Sequence, residues 1–343
     1  LQIGTLNKPV KTVMIALDVL DGVVDEAVEN GVDLIIAHHP LIYQPLKSIA
    51  FDTPYGRLIE KLIKHDIAVY AAHTNLDVAK GGVNDLLAEA LRLKNCEVLI
   101  PKTVPELRKI AVFVPKSDAD KVRQAMGDAG AGAIGNYSHC SFSSDGVGSF
   151  RPGENSHPHI GQRGKQEFVE EVKIESIYPS HLEQKIIRAM KNAHPYEEVA
   201  FDLYPLANKG EPLGLGRIGE LEEEMTLRRF AHHVKSALSV EGVRVVGDLD
   251  ANVHKVAVLG GDGNKYIVEA KEKGADVFVT GDVYYHVAHD AMMSGLNIVD
   301  PGHNVEKVMK QGVKRLLERI LNENGYETTV IASDVHTDPF TFL

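Results

Sequence analysis

The sequence lacks several features that mark particular classes of protein. It contains only two cysteines, Cys96 and Cys140, which are far apart and form no C-x-x-C pair. Disulfide stapling is therefore not expected, and a reducing cytoplasm is the favoured compartment. No apolar run approaches the roughly 18 residues that a membrane-spanning helix needs, so no membrane association is expected. The absence of a G-x-S-x-G motif and of a reactive cysteine argues against covalent catalysis.

Positive charge is also scarce. Lys and Arg number 37 against 48 Asp and Glu, so the net charge is −11 when histidine is neutral. Nucleic-acid binding is disfavoured, because its affinity rests on positive charge that faces the phosphates. An anionic substrate stays open if metal ions supply the positive field locally.

What the sequence does have is length and a regular alternation of elements. The 343 residues are too many for one ordinary core, so two domains are expected. In the first hundred residues, apolar runs such as 13–19 and 34–37 alternate with amphipathic helical stretches, and the same rhythm returns after about residue 250. This pattern predicts parallel strands joined by right-handed crossovers, the arrangement of an α/β domain.

The middle of the chain follows a different pattern. The predicted elements there are strands at 110–114, 168–177 and 199–204 and helices at 118–129 and 180–192. This order suggests a ferredoxin-like α+β module. A loop rich in Gly, Ser, His and Pro over residues 130–164 is expected to be an interaction arm or a mobile segment. We therefore expect a discontinuous α/β domain, 1–104 and 211–343, that is interrupted by an inserted α+β domain, 105–210.

Histidine and acidic residues occur where the predicted strands end. A single residue of this kind is more often a turn former or a helix cap than a ligand. Sites in open α/β sheets nevertheless form at the carboxyl ends of strands, and the coincidence of many such residues on one rim favours a site there. The residues concerned are Asp18, His38, His39, His73, Asp77, Asp262, Asp282, Asp300, His303 and Glu306.

The adjacent histidines His38 and His39 stand just before Pro40, at the exit of a buried strand. Neighbouring strand side chains point to opposite faces, so at a broken strand end the two imidazoles could reach different points of one cavity. That arrangement suits two metal ions better than one. Asp77 could bridge such ions, and His303 and Glu306 lie three apart on one side of a helix start. This set of nitrogen and oxygen donors suits Zn, Mn, Fe, Co or Ni, with zinc favoured.

Four motifs resemble those of the NGG-interacting-factor-three-like family, whose members are also named GTP cyclohydrolase type 2 homologues. They are Ala37-His38-His39-Pro40, His73-Thr74-Asn75-Leu76-Asp77, Thr280-Gly281-Asp282 with His286, and Gly302-His303-Asn304-Val305-Glu306. The resemblance covers both flanking parts of the chain, roughly 1–104 and 211–343. The central segment is similar to the PII/CutA-type modules that longer bacterial members carry.

The resemblance implies a site and an assembly. The implied ligands of two divalent metal ions are His38, His39, Asp77, His303 and Glu306. The implied assembly is a ring-shaped homohexamer, a dimer of trimers, whose metal sites face an internal cavity and whose inserts cap the ends. The opening Leu1-Gln2-Ile3-Gly4 is similar to the family's N-terminal motif already under way, so we expect a short segment before it.

Two functions remain open at this point. The leading hypothesis is a dinuclear metal-dependent hydrolase that opens the ring of a nucleotide such as GTP through a metal-bound hydroxide. In that reaction His73 is the candidate acid or base, or a partner that orients a ligand. The alternative is a non-catalytic, hexameric metal-binding scaffold or regulator with a ligand-sensing insert.

Several further residues carry weaker expectations. Asp18 is expected to cap a helix or turn, and the Gly-Gly-Asp-Gly run 260–263 to form a tight turn rather than a phosphate cradle. Asp282 and His286 are balanced between contact with the site and simple loop capping. In the insert, 157–159 and 194–198 are rich in His and Glu, but their spacing matches no standard metal pattern.

Overall fold

The computed structural model describes all residues, 1–343. The chain divides into two compact units. The first consists of Leu1–Lys102 together with Leu213–Leu343, and the second is Thr103–Pro212. No helix combines the length and the apolar character that crossing a membrane would require.

The regular elements are fourteen strands and ten α-helices. The strands are β1 (Thr12–Ala16), β2 (Leu34–Ala37), β3 (Ala68–Ala71), β4 (Lys94–Thr103), β5 (Glu106–Pro115), β6 (Phe142–Phe150), β7 (Glu167–Pro179), β8 (Phe201–Lys209), β9 (Leu213–Thr226), β10 (Arg244–Val246), β11 (Asn252–Asp262), β12 (Val277–Gly281), β13 (Asn297–Asp300) and β14 (Thr329–Ala332). The helices are α1 (Asp21–Glu29), α2 (Pro54–Lys64), α3 (Thr74–Val78), α4 (Val83–Ala90), α5 (Ala119–Asp128), α6 (Glu183–Ala193), α7 (Leu227–Ala237), α8 (Ile267–Glu272), α9 (Tyr285–Met293) and α10 (Val308–Glu323).

The first sheet of the first unit is parallel and has the order β14-β1-β2-β3. Its strands are short apolar runs because helices cover the sheet. Met14 and Ile35 are fully buried and pack against α1 and α2. Helix α2 begins where Thr53 accepts a hydrogen bond from the Gly56 N–H, with proline in the first turn.

The second sheet of this unit has the order β10-β13-β12-β11-β9-β4. Strands β11, β12 and β13 run parallel, whereas β9 is antiparallel to β11 and β10 is antiparallel to β13. The sequence predicted the polar strand ends on one rim of a single sheet, and this detail is wrong. Strands of the early and late halves lie mostly in separate sheets. The exceptions are β14, which pairs with β1, and β4, which lies beside β9 in the second sheet.

One apolar core joins the two sheets of the first unit. Val13 of β1 and Val279 of β12 belong to the same buried cluster, to which α4 and α10 also contribute. Fully burying a side chain such as Leu87 of α4 is worth about 1.5–3 kcal/mol. Residues of β2, β12 and β13 pack in this shared core, whereas Val69 of β3 belongs to the cluster around α1 and α2. Polar residues follow the carboxyl ends of these four strands.

The second unit is one antiparallel sheet with the order β6-β7-β5-β8 and two helices, α5 and α6. Val112, Ile174 and Met190 are fully buried in its core. The sequence predicted a loop throughout 130–164, but β6 lies within that range and pairs with β7 along its whole length. Most side chains of β6 are exposed, so the sequence has no apolar pattern there that predicts a strand.

Candidate metal centre

The two adjacent histidines follow β2 directly, and their backbones continue its hydrogen bonding to the neighbouring chain segment. The backbone N–H groups of His38 and His39 donate to the carbonyls of Ala16 and Leu17. His38 is fully buried, and its Nδ1 lies 2.9 Å from the carbonyl oxygen of Ala72. Because a carbonyl only accepts, Nδ1 carries the proton, so the lone pair available to a ligand is the one on Nε2.

Asp77, on the short helix α3, faces that lone pair. Its Oδ1 lies 3.5 Å from His38 Nε2, and both atoms are buried without a hydrogen-bond partner. Burial raises the pKa of Asp77 to about 6. Buried polar atoms without a hydrogen-bond partner are rare in proteins. A nitrogen and a carboxylate oxygen that face each other in this state are suited to binding a cation.

Glu306 lies at the centre of the cluster. It belongs to a 3₁₀ turn, His303–Lys307, that follows β13. Its Oε2 lies 2.9 Å from His39 Nε2, 3.2 Å from His303 Nε2 and 3.6 Å from His38 Nε2. Burial alone would raise the pKa of Glu306, but hydrogen bonds from His303 and His39 hold it well below its usual range.

His39 and His303 each have a second carboxylate, which lies next to Nδ1, the ring nitrogen that faces away from Glu306. His39 Nδ1 lies 2.6 Å from Asp18 Oδ1, and His303 Nδ1 lies 2.6 Å from Asp282 Oδ2. Burial would lower the pKa of His39, but its bonds to Asp18 and Glu306 raise it to about 9. The bond to Glu306 raises the pKa of His303 to about 9 as well, against the effect of burial. The carboxylates around both rings therefore favour the protonated forms of His39 and His303.

Asp18 was expected to be a cap, and the structure assigns it a different contact. Helix α1 starts at Asp21 without a side-chain cap, while Asp18 bonds His39 and accepts a hydrogen bond from the Thr337 hydroxyl at 2.5 Å. Carboxylates in this position fix the tautomer of a metal-binding histidine and make it a better ligand. Asp282 makes the corresponding contact with His303. Of the two roles expected for Asp282, the structure therefore shows contact with the site.

Three groups of side chains have donor atoms close enough to hold an ion, all within 4.8 Å of one another. They are His38, Asp77 and Glu306; His39, His303 and Glu306; and His38, His39 and His73. The structure thus brings all five sequence-predicted ligands together. Glu306, rather than Asp77, is the carboxylate common to two of these groups.

His73 stands beside the other imidazoles. Its ring centroid lies 5.2 Å from that of His38 and 5.8 Å from that of His39. Burial lowers its pKa, and the neighbouring His38 and His39 lower it further. His73 is therefore a neutral imidazole at the edge of the cluster. His286, by contrast, is exposed on α9, where its ring contacts Tyr285 and not the cluster.

Two glycines allow the turn that carries Glu306 to approach β11. A Cβ on Gly261, whose φ is +65°, would lie 2.8 Å from Glu306 Oε1, and a Cβ on Gly260 would lie 3.1 Å from the same atom. The Gly-Gly-Asp-Gly run was expected to be a tight turn, yet Gly260 and Gly261 lie within β11 and pack against the cluster. Their role is to leave room for two of the candidate ligands.

Asn84 was missed by sequence reasoning. This buried residue of α4 donates to the Asp77 carbonyl and accepts from the Gly260 N–H, both at 3.0 Å. It therefore ties the helix that carries Asp77 to the strand that supports Glu306. Its only sign in the sequence is a polar residue among the apolar positions of α4, which by itself does not identify a contact.

The chain is similar to known proteins along almost its whole length. The family-wide sequence model of Duf34/NIF3 (NGG1p interacting factor 3) matches residues 1–339. A curated relative from Halalkalibacterium halodurans, named GTP cyclohydrolase 1 type 2 homolog, is 63% identical over 99% of this chain and 92% of its own length. The protein of the same name from Bacillus subtilis is 61% identical over 100% of this chain and 92% of its own.

Solved structures resemble this fold along nearly the whole chain. The crystal structure of a Bacillus cereus protein related to NIF3 has 65% sequence identity and a TM-score of 0.90, covering 100% of this chain and 92% of that one. Staphylococcus aureus protein SA1388 has 36% identity and a TM-score of 0.70, covering 99% and 91%.

Proposed function

The chain belongs to the Duf34/NIF3 family, and from this premise we propose that it is a metal-dependent hydrolase with two divalent metal ions. The observation that supports this most directly is the pair His38 Nε2 and Asp77 Oδ1, buried 3.5 Å apart with no hydrogen-bond partner. Leaving such groups unpaired costs about 1–3 kcal/mol each, which a bound cation would recover.

The donor groups divide naturally between two ions. His38, Asp77 and Glu306 would hold one, and His39, His303 and Glu306 would hold the other. Imidazole nitrogens and carboxylate oxygens form a donor set suited to zinc, which we favour, and to Mn, Fe, Co or Ni. No thiolate is part of the site, so a copper(I) or iron–sulfur centre does not fit these donors.

The chemistry is divided between the ions and the chain. Bound divalent ions in such a pair act as Lewis acids and lower the pKa of water. Asp18 and Asp282 hold the outer nitrogens of His39 and His303, so that the inner nitrogens stay aimed at Glu306. His73 is neutral and close to the ligands, so it is placed to accept a proton from the attacking water and return it to the product.

We propose a nucleotide as the substrate, with hydrolytic opening of the ring of GTP as the first reaction to test. The relatives' shared name, GTP cyclohydrolase 1 type 2 homolog, supports this choice. The net charge of −11 is no obstacle, because ions held by the cluster would supply the positive field that an anionic nucleotide needs.

The test combines metal content with a hydrolysis screen. Wild-type protein reconstituted separately with Zn, Mn, Fe, Co or Ni is assayed with GTP and related nucleotides. The variant that combines His38→Ala with His303→Ala should lose turnover while keeping its oligomeric state. His65→Ala is the matched control, because His65 is an exposed histidine at the end of α2, and it should behave as wild type. Absence of turnover in wild type with every metal would contradict the hydrolase proposal.

We propose further that the second unit is an inserted ferredoxin-like domain of the PII/CutA type. Its order β6-β7-β5-β8 and the helices after β5 and β7 support this, since they form the β-α-β-β-α-β arrangement. Expression of residues 103–212 alone should give a folded protein if this is right, and an unfolded product would argue against it.

The proposed assembly is a homohexamer, a dimer of trimers, in the cytoplasm. Exposed apolar side chains on α9, with Tyr285 75% and Met293 76% exposed, support burial against another copy. Cys96 and Cys140 are both unpaired, as expected in a reducing compartment. Light scattering behind size-exclusion chromatography would test the mass directly.

The alternative of a non-catalytic scaffold with a ligand-sensing insert also has support. A cavity of about 550 Å³ lies within the second unit, separate from the metal-ligand candidates. Normal metal binding combined with no turnover of any nucleotide would favour this reading over the hydrolase.

A further inference from the structure

The cavity of the second unit has the size of a small-molecule site. Its volume of about 550 Å³ falls within the roughly 300–1,000 Å³ typical of ligand pockets. It is lined by β6, by β7 and by two loop segments, 150–160 and 196–200. The first segment contains the stretch 157–159 and the second overlaps the stretch 194–198, whose spacings match no standard metal pattern.

One wall of the cavity is aromatic. The ring centroid of Tyr196 lies 5.9 Å from that of Phe150 and 6.2 Å from that of His159. Phe113 also lines the cavity. Rings at these separations form a face that attracts apolar bodies and, through the negative potential of the π-system, cations.

A buried histidine holds this wall in place. His194 is 7% exposed and accepts the Tyr196 N–H on Nδ1 at 3.1 Å. Since Nδ1 acts as an acceptor, the proton is on Nε2, which donates to the Phe113 carbonyl at 3.0 Å. The neutral ring thus fixes Tyr196 against β5, and burial lowers its pKa in keeping with that state. These two hydrogen bonds tie the Tyr196 backbone to β5.

The charges that line the cavity are mostly negative. Glu171, Glu197 and Glu198 contribute carboxylates against the single guanidinium of Arg151. Glu171 Oε1 accepts a hydrogen bond from the Tyr196 hydroxyl at 3.1 Å. A Cβ on Gly148 would lie 2.1 Å from Glu171 Oε2, so glycine leaves room for that carboxylate beside the aromatic wall.

We propose that this cavity binds a small organic cation, a primary amine or guanidinium carried on an aromatic or apolar body. The cationic head would be held by Glu171 with help from Glu197 or Glu198, and the body would pack against Tyr196 and Phe150. Charge-assisted hydrogen bonds to a carboxylate and cation–π contacts are the interactions that recognise such ligands. The site is independent of the metal centre and of the reaction proposed for it.

Isothermal titration calorimetry on the full chain tests the charge preference with three probes that share one body. Phenethylamine is the cation, phenylacetate the anion and 2-phenylethanol the neutral analogue. We expect phenethylamine to bind, and phenylacetate to bind at least about tenfold more weakly because its charge is opposite. No binding of phenethylamine, or equal binding of phenylacetate, would overturn the proposal.

Two variants locate the binding. Glu171→Gln keeps a hydrogen-bond acceptor for Tyr196 and should weaken phenethylamine binding about tenfold. The control is Glu175→Gln, on the same face of the same strand but outside the cavity lining, where it pairs with Lys109 and Lys173. If Glu171→Gln does not fold, Glu198→Gln, which is exposed, replaces it with a smaller expected loss. Wild-type affinity in the folded Glu171→Gln or Glu198→Gln variant would contradict the assignment.

Discussion

His38 Nε2 faces Asp77 Oδ1 across 3.5 Å, and neither buried atom has a hydrogen-bond partner. The residues come from different elements, β2 and α3, and the opposite ring nitrogen of His38 is fixed by the Ala72 carbonyl. The His38 ring is thus held in place through Nδ1, while Nε2 is available to bind a cation.

Removing the carboxylate behind His39 should weaken metal binding. In Asp18→Asn the charge that fixes the His39 tautomer is lost, so we expect the affinity for zinc to fall by about 10–100-fold. Competition with a fluorescent chelator measures this change. Asp21→Asn, a substitution at the start of α1 with no contact to the cluster, should leave the affinity unchanged. An equal effect of both substitutions would contradict the orienting role of Asp18.

A side chain at Gly261 should disturb the ligands themselves. In Gly261→Ala the new Cβ would lie 2.8 Å from Glu306 Oε1 and 3.2 Å from His303 Nε2. We expect a loss of zinc affinity in addition to the roughly 1–2 kcal/mol that a left-handed conformation costs a non-glycine residue. Gly325→Ala is the matched control, because its φ is +71° but no atom lies within 4 Å of the new Cβ. Both variants should lose stability in urea unfolding, and only Gly261→Ala should lose metal affinity.

The bridge made by Asn84 should matter for both stability and metal. Asn84→Ala leaves the Gly260 N–H without its acceptor in a buried place and frees the Asp77 carbonyl. We expect a loss of about 1–3 kcal/mol in the free energy of unfolding and a lower zinc affinity. Asn30→Ala, at an exposed helix end with one local bond, should cost much less. A stable Asn84→Ala protein with normal zinc affinity would show that the bridge is dispensable.

The second unit offers a test of pH dependence that does not involve the metal site. Glu183 accepts hydrogen bonds from Arg108 at 2.6 Å and from Tyr178 at 2.9 Å. The bond from Arg108 lowers the pKa of Glu183 below its ordinary value of 4.5, with burial acting in the opposite direction. A lowered folded-state pKa stabilises the protein above the unfolded pKa, and this stabilisation is lost as the pH falls through the folded pKa.

The corresponding measurement compares wild type with Glu183→Gln in urea unfolding over a range of pH. Wild type should be the more stable protein at neutral pH, and its advantage should shrink as the pH falls below about 4.5. A difference that stays constant with pH would mean that the charge of Glu183 does not contribute.

The sequence predicted which side chains lie close together better than it predicted the fold around them. His38, His39, Asp77, His303 and Glu306 each lie in a short local motif at a strand end, and the family assignment from those motifs is confirmed. Their partners are not local. Asp18 bonds His39 from 21 positions away, and Thr337 bonds Asp18 from 319 positions away, so neither contact has a sequence signal.

In the fold as well, local patterns were predicted from the sequence, whereas contacts between distant segments were not. Apolar runs such as Leu34–Ala37 predicted buried strands correctly, and the mixed α/β class is confirmed. Strand β6 was missed, because Phe142–Phe150 is mostly exposed and contains two glycines. Its place in the sheet comes from pairing with β7, a contact between segments that periodicity within one segment does not reveal.

The central claim is that five side chains from three parts of the chain hold two metal ions around Glu306. Elemental analysis of metal-replete, exhaustively desalted protein tests it most directly, with wild type compared to Glu306→Gln. We predict two divalent ions per chain in wild type and a loss of both in Glu306→Gln, because Glu306 belongs to both ligand groups. Wild-type protein that retains no ion under saturating zinc or manganese, or a Glu306→Gln variant that retains two, would contradict the account.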